Sequence, residues 1–299
     1  MVLKPGAIVA RKSYQCDLLF RVIEWKKDQN GRVVAIIGGK DVRLIADAPL
    51  DDLVFMNDEE LETHEKQERE KIETSFFLFQ QDYRLSREKQ EYYTSSAFQY
   101  QDDCFHIPGK VLHVDGDSLY LQKCLNLYRK IGVPVNGLHI KESQMADNIE
   151  HLLEKYRPDI LVITGHDSYS QQKGKITDLA AYRHSRDFVK TVRRARKKIP
   201  GLDQLVIFAG ACQSHFESLI RAGANFASSP SRVNIHALDP VYIVAKISFT
   251  PFVERINVWD VLRNTLTREK GLGGIETRGV MRSGIPYNRF LENNKKNED

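Results

Sequence analysis

DILVITGH (residues 159–166) and LVIFAGAC (residues 205–212) are the two stretches whose reading decides the fold. Each is a short, unbroken apolar run that closes on a glycine. A strand with one wet face alternates apolar and polar residues, whereas an unbroken run of this length predicts a strand covered on both faces, as in a parallel sheet. Between them, His184–Lys198 places Phe188, Val192, Ala195 and Ile199 on one side at helical spacing, which predicts a strand–helix–strand crossover.

The alternation continues outward. Lys110–Val114 predicts a strand ending in Asp115-Gly116-Asp117, Leu119–Lys130 an amphipathic helix, and Val135–Ile140 a second strand. Ala146–Tyr156 predicts a helix stopped by Pro158, and Ser214–Arg221 a short helix. The expected class is therefore α/β, with a flavodoxin-like parallel sheet and flanking helices over residues 105–299.

Residues 1–56 carry a different pattern, with short β-rich runs at Ala7–Arg11, Leu18–Trp25, Arg32–Gly38 and Asp41–Ile45, and a hairpin turn signal at Asp28-Gln29-Asn30-Gly31. These predict a small SH3-like β-barrel that docks a partner. Residues 57–104 form a third region. Asp58–Thr74 has almost no core formers and many oppositely charged neighbours at i, i+4, and predicts a solvated helical linker. Phe76, Phe77, Phe79, Tyr83, Tyr92, Tyr93, Phe98 and Tyr100 follow, and are expected to pack back on a domain.

Of the 299 residues, 41% are hydrophobic and 28% charged, with a formal net charge of +4, so a sizeable core is expected and neither nucleic acid nor a membrane is implied as a partner. The first residues lack a signal-peptide pattern, and no run is long and apolar enough to span a bilayer, which predicts a cytoplasmic protein. Cys16, Cys104, Cys124 and Cys212 include no C-x-x-C pair, so neither disulfides nor a metal are expected. Cys16 and Cys124 are expected as small buried hydrophobes. His166, Cys212 and His215 would make a metal trio without a fourth ligand. Walker and G-x-S-x-G strings are absent, Gly271-Leu272-Gly273-Gly274 suggests a loop, and no cofactor is implied.

In a parallel sheet, functional groups gather at the carboxyl ends of the strands. One of the two deciding strands leads into His166 and the other into Cys212. Neighbouring strands lie about 5 Å apart, so the two side chains could meet, the histidine taking the thiol proton. Gly165, Gly210 and Ala211 keep the surroundings small, and amides at the start of a following helix would steady a thiolate or an oxyanion. Asp167 is a candidate to orient the imidazole or lend its amide to an oxyanion hole. Asp115 and Asp117, at the carboxyl end of the first strand of this region, are candidates to contact a substrate. A nucleophilic Cys212 is also expected to alkylate faster than the other three cysteines at neutral pH.

A histidine at one strand end and an Ala-Cys roughly fifty residues later at the next resembles the caspase-like (clan CD) cysteine peptidases. More closely, PGAIVARKSY, RLIADAPLDDL, VLHVDGD, ITGHD and FAGACQSHFE resemble the YabG family of sporulation-specific proteases along essentially the whole chain. The resemblance implies a cysteine endopeptidase, with Cys212 as nucleophile and His166 as its base. It also implies protein substrates from the spore coat and cortex, a place in the mother cell at the forming coat, and recognition of a basic residue at the cleaved position by Asp115 or Asp117. It departs from the caspase pattern in one respect: Asp167, not glycine, follows the histidine. Two other readings stay open. One is a thiol amidohydrolase, disfavoured because such enzymes place the cysteine before the histidine; the other is a non-catalytic coat-assembly protein.

Overall fold

A computed structural model describes residues 4–27, 31–95 and 105–284. Five strands come first: β1 (Ile8–Arg11), β2 (Leu19–Lys27), β3 (Val33–Gly39), β4 (Ile45–Pro49) and β5 (Leu53–Phe55). They form an antiparallel sheet in the order β4-β3-β2-β1-β5, with a bulge between Val22 and Glu24. Among the described residues β4 and β5 do not pair, so the expected barrel is an open sheet. The predicted strand Asp41–Ile45 is displaced as well. Strand β4 begins only at Ile45, and the residues before it bridge to the rest of the molecule, Val42 to His236 and Leu44 to Asp167. Backbone groups that could have extended this sheet are thus used elsewhere. Residues 28–30 of the predicted hairpin turn lie outside the described residues.

One helix, α1 (Asp58–Ser95), covers both the charged stretch and the start of the aromatic one. Phe79 is buried against Tyr242, with ring centroids 6.3 Å apart, and Tyr83 lies 4.9 Å from Phe249, whereas Phe77 is exposed. The packing expected of the aromatics therefore holds for those that face the domain. The side chains of Tyr92 and Tyr93, and all of Phe98, Tyr100 and Cys104, lie outside the described residues.

The rest of the described chain comprises β6 (Phe105–Ile107), β7 (Val111–Asp115), α2 (Ser118–Ile131), β8 (Val135–His139), α3 (Glu142–Tyr156), β9 (Ile160–Thr164), α4 (Ser185–Lys198), β10 (Val206–Ala209), α5 (Phe216–Ala222), β11 (Phe226–Ser228), α6 (Asp239–Ser248), β12 (Arg255–Ile256), α7 (Val258–Leu262), α8 (Arg268–Gly271), β13 (Leu272–Gly274), β14 (Thr277–Arg278) and β15 (Arg282–Gly284), arranged around one main sheet. Its order is β13-β11-β10-β9-β7-β8, five parallel strands with β13 antiparallel at one edge. Strands β6 with β15 and β12 with β14 make two small ribbons. The glycines expected as a loop supply β13, where a Cβ on Gly274 would come within 2.4 Å of the Phe226 ring.

Both faces of the sheet are covered, which explains the unbroken apolar runs. Leu112, Leu161, Ile163, Ile207 and Ala209 pack under α3, α4 and α5, joined by Met145, Ile149, Phe188 and Val192. Val111, Ile160, Val162, Val206 and Phe208 face α2 and α6 and share one core with Val9, Phe20 and Ile37 of the first sheet. The N-terminal sheet is therefore not a bead on a linker. It continues the packing of the main domain.

Candidate active site

Strands β9 and β10 are direct neighbours with Ile163 opposite Ala209, so the residues that follow them emerge side by side. His166 leaves β9 after Gly165. A Cβ on Gly165 would come within 2.4 Å of the Glu142 carboxylate, so the glycine makes room for that group. Glu142 uses the space twice: its Oε1 accepts the His166 amide at 2.9 Å and lies 3.4 Å from ring Nδ1. On the other side, Asp117 Oδ2 lies 3.1 Å from Nε2. Burial opposes a charged ring, but the two carboxylates outweigh it and hold the His166 pKa above its ordinary value. The ring faces a surface cleft of about 570 Å³ also lined by Arg21, Ile45, Lys141 and His184.

Cys212 emerges from β10 into drier surroundings. The residue is fully buried; its Sγ accepts the Ile235 amide at 3.2 Å and donates to the Ile235 carbonyl at 3.6 Å. Burial pushes the thiol up to about 12. No hydrogen bond joins Cys212 to His166 among the described residues, although the Tyr120 ring, 5.5 Å from His166, lies close to both. A thiol buried in this way does not fit the expectation of fast alkylation. Cys16, expected to be buried, is exposed, on a turn with φ 57°, and Cys212 is shielded. Cys124 is buried as expected.

The supporting residues have sorted themselves by partner. Asp167 turns away from the imidazole and accepts from the Ser168 and His184 amides and from the Ser185 and Ser214 hydroxyls, at 2.9, 2.8, 2.5 and 2.9 Å. Burial nevertheless raises its pKa against those four donors. Ser214 in turn accepts the Ala211 amide at 2.9 Å, and Ser228 donates to the Ala211 carbonyl at 2.8 Å. Gly210, with φ 113°, has a conformation and a neighbour, Ser228 Oγ, that exclude a side chain. These contacts brace the turn carrying Cys212. The expected help from a helix start is not available, because α5 begins only at Phe216. His215 caps that helix through Nδ1 and meets the Thr177 carbonyl through Nε2.

Of the two acidic candidates, only Asp117 reaches His166. It also caps α2 by accepting the amides of Leu119 and Tyr120 at 2.7 and 3.0 Å. Asp115 sits inside β7, fully buried, and binds Arg43 at 2.7 Å and the Thr164 hydroxyl at 2.9 Å. Burial would raise this carboxyl, yet Arg43 holds it well below the usual carboxylate range. Two participants were not foreseen from the sequence. Glu142 opens α3, three residues after β8 ends, in the region beyond a strand end where the strand-end rule directs attention. Arg43 has no local signal at all.

Residues 4–286 match the family described as YabG peptidase U57. The chain is 68% identical over 287 residues to the sporulation-specific protease YabG of Bacillus subtilis (strain 168), covering 96% of this chain and 99% of that protein. The chain belongs to the YabG peptidase family. Membership makes it a peptide-bond hydrolase, and no helix among the described residues is long and apolar enough to cross a membrane.

Proposed function

We propose that this YabG-family chain is a sporulation-specific cysteine endopeptidase in which Cys212 is the nucleophile and His166 its base. One observation carries the reading: two adjacent parallel strands, in register at Ile163 and Ala209, deliver the histidine and the cysteine to the same edge of the sheet. Five parallel strands with an antiparallel edge support a caspase-like peptidase domain over residues 105–299. The five short strands within residues 1–56 support an SH3-like docking unit, and residues 57–104 link the two.

The chemistry follows from the residue types. The thiol gives its proton to His166, whose protonated form Asp117 and Glu142 stabilise. The sulfur adds to the carbonyl carbon of the scissile peptide, and the Cys212 amide, with Asp167 or Gly165 beside it, holds the oxyanion. The C–N bond breaks as the imidazolium protonates the leaving amine. Water then cleaves the thioester, releasing a carboxylate and restoring the thiol. Asp115, at the floor of the site, reads a basic residue before the cleaved bond through a charge-assisted contact. The relative's sporulation role points to spore coat and cortex-associated proteins as substrates, met in the mother cell at the forming coat.

Cleavage of coat-type proteins by Cys212→Ala and His166→Ala chains tests the reading. Both are expected to be inactive and folded; cleavage by folded Cys212→Ala would overturn it. Inactivity of both also separates it from a coat-assembly protein whose function needs neither residue.

A further inference from the structure

Resting on that reading, we infer that Val42-Arg43-Leu44 occupies the enzyme's own substrate groove, with Arg43 in the pocket for the substrate's basic residue, so that the N-terminal sheet holds the site closed. The segment leaves β3 at Gly39 and re-enters the first sheet at Ile45. Between these points it lies across the carboxyl ends of β9 and β10. It is paired on both sides, Leu44 parallel to Asp167 and Val42 antiparallel to His236. That is how an extended peptide adds itself to a protein as an extra strand.

The backbone of Arg43 is seated as a substrate residue would be. Its carbonyl oxygen accepts the amide of Cys212 at 3.4 Å, and its amide donates to the Ile235 carbonyl at 3.3 Å. The amide of the nucleophile is the group expected to hold the oxygen of a carbonyl under attack. The side chain fills a closed pocket. Nη1 reaches Asp115 at 2.7 Å, Nε and Nη2 donate to the Ala237 carbonyl at 3.2 and 3.1 Å, Nη2 lies 3.3 Å from Cys124 Sγ, and the guanidinium sits 5.2 Å from the Tyr120 ring. Tyr120 also donates to the carbonyls of Gly39 and Val42, and Lys123 to that of Lys40.

A buried ion pair is a poor way to hold two domains together, because apolar residues of the same volume do as well or better. A pocket built to recognise arginine accounts for it directly. The rest of the site matches a blocked state. The thiol is tied to Ile235, the imidazole to Asp117 and Glu142, and Cys212 has no exposed surface. A substrate must displace a competitor that is covalently attached, and therefore present at high effective concentration.

The full-length chain tests this through the iodoacetamide labelling rate of Cys212, read by mass spectrometry beside Cys16. Wild-type Cys212 is expected to label more slowly than Cys16, and Arg43→Gln to raise its rate on the order of tenfold or more. Because that variant strands Asp115, the charge-neutral pair Arg43→Met with Asp115→Asn is measured as well, and the same rise is expected. Unchanged Cys212 labelling in a folded variant would overturn the inference. A second readout is cleavage of the synthetic decapeptide GGKDVRLIAD, the sequence of residues 38–47. Arg43→Gln is expected to cut it after its arginine about tenfold faster than wild type, and equal rates would count against the blocking role. Labelling needs no catalysis, so it judges the blocked groove even if folded Cys212→Ala still cleaved protein substrates.

Discussion

The ends of β9 and β10 are neighbours in one sheet and yet are opposite environments. His166 sits between two carboxylates at the wall of an open cleft, and its charged form is favoured. Cys212, one strand away, is dry, bonded only to backbone, and its neutral form is favoured. A nucleophile needs the reverse, a thiolate within reach of a proton acceptor. Bringing the pair to one sheet edge is a matter of topology, whereas in the proposed enzyme reactivity waits on Val42–Leu44 leaving the groove.

The comparison can be broken most forcefully through the pair itself. Cys212→Ala and His166→Ala are each expected to lose cleavage of protein substrates altogether, followed as initial rates on a coat-type protein. Equal, undiminished rates would mean that the two strand ends are not one site.

Next in size is the buried charge beneath the cysteine. Asp115→Asn leaves Arg43 without its counter-ion and is expected to cost about 3–5 kcal/mol, read from denaturant midpoints. Arg43→Met added to it is expected to restore much of that loss. A milder effect is expected at the brace between the strand ends. Asp167→Asn exchanges an acceptor of four hydrogen bonds for a mixed donor and acceptor, at about 1–3 kcal/mol.

The smallest effect sharpens the electrostatic side. The His166 pKa is raised in the folded protein, so the stabilisation it supplies is complete below about pH 6.5 and fades as pH rises through the folded value. Asp117 and Glu142 are lowered by their hydrogen bonds to the ring against burial, so their share is present above about pH 4 and is lost as pH falls through their depressed values. The cluster is most stabilising between these limits. Asp117→Asn is expected to move the His166 titration, followed by imidazole NMR, and the acid limb of activity to lower pH. An unmoved titration would mean that the cleft carboxylates do not set the charge of the ring.

Much of the main domain was legible because its signals are local. A strand covered on both faces has to be apolar throughout, so DILVIT and LVIFA could be read without a fold, and the alternation with helices then placed His166 and Cys212 on adjacent strand ends. Asp117 at a strand end was legible for the same reason. The N-terminal region was read less well. Its β-rich residues identified strands, but Asp41–Ile45 has the same composition whether it extends its own sheet or reaches across to another one.

The α/β order, the apolar interior of the sheet and the arrival of His166 and Cys212 at adjacent strand ends could all be read from the chain, because periodicity and side-chain type act over a few residues. Only the tertiary structure decided that Glu142 joins Asp117 on the imidazole, that Asp167 braces serines instead, and that Arg43 lies against Asp115 with its carbonyl on the Cys212 amide. Those contacts join residues far apart in the chain, so only folding brings them together: once no solvent can reach them, the guanidinium and the carboxylate have to pair, because either one left alone would be an uncompensated buried charge.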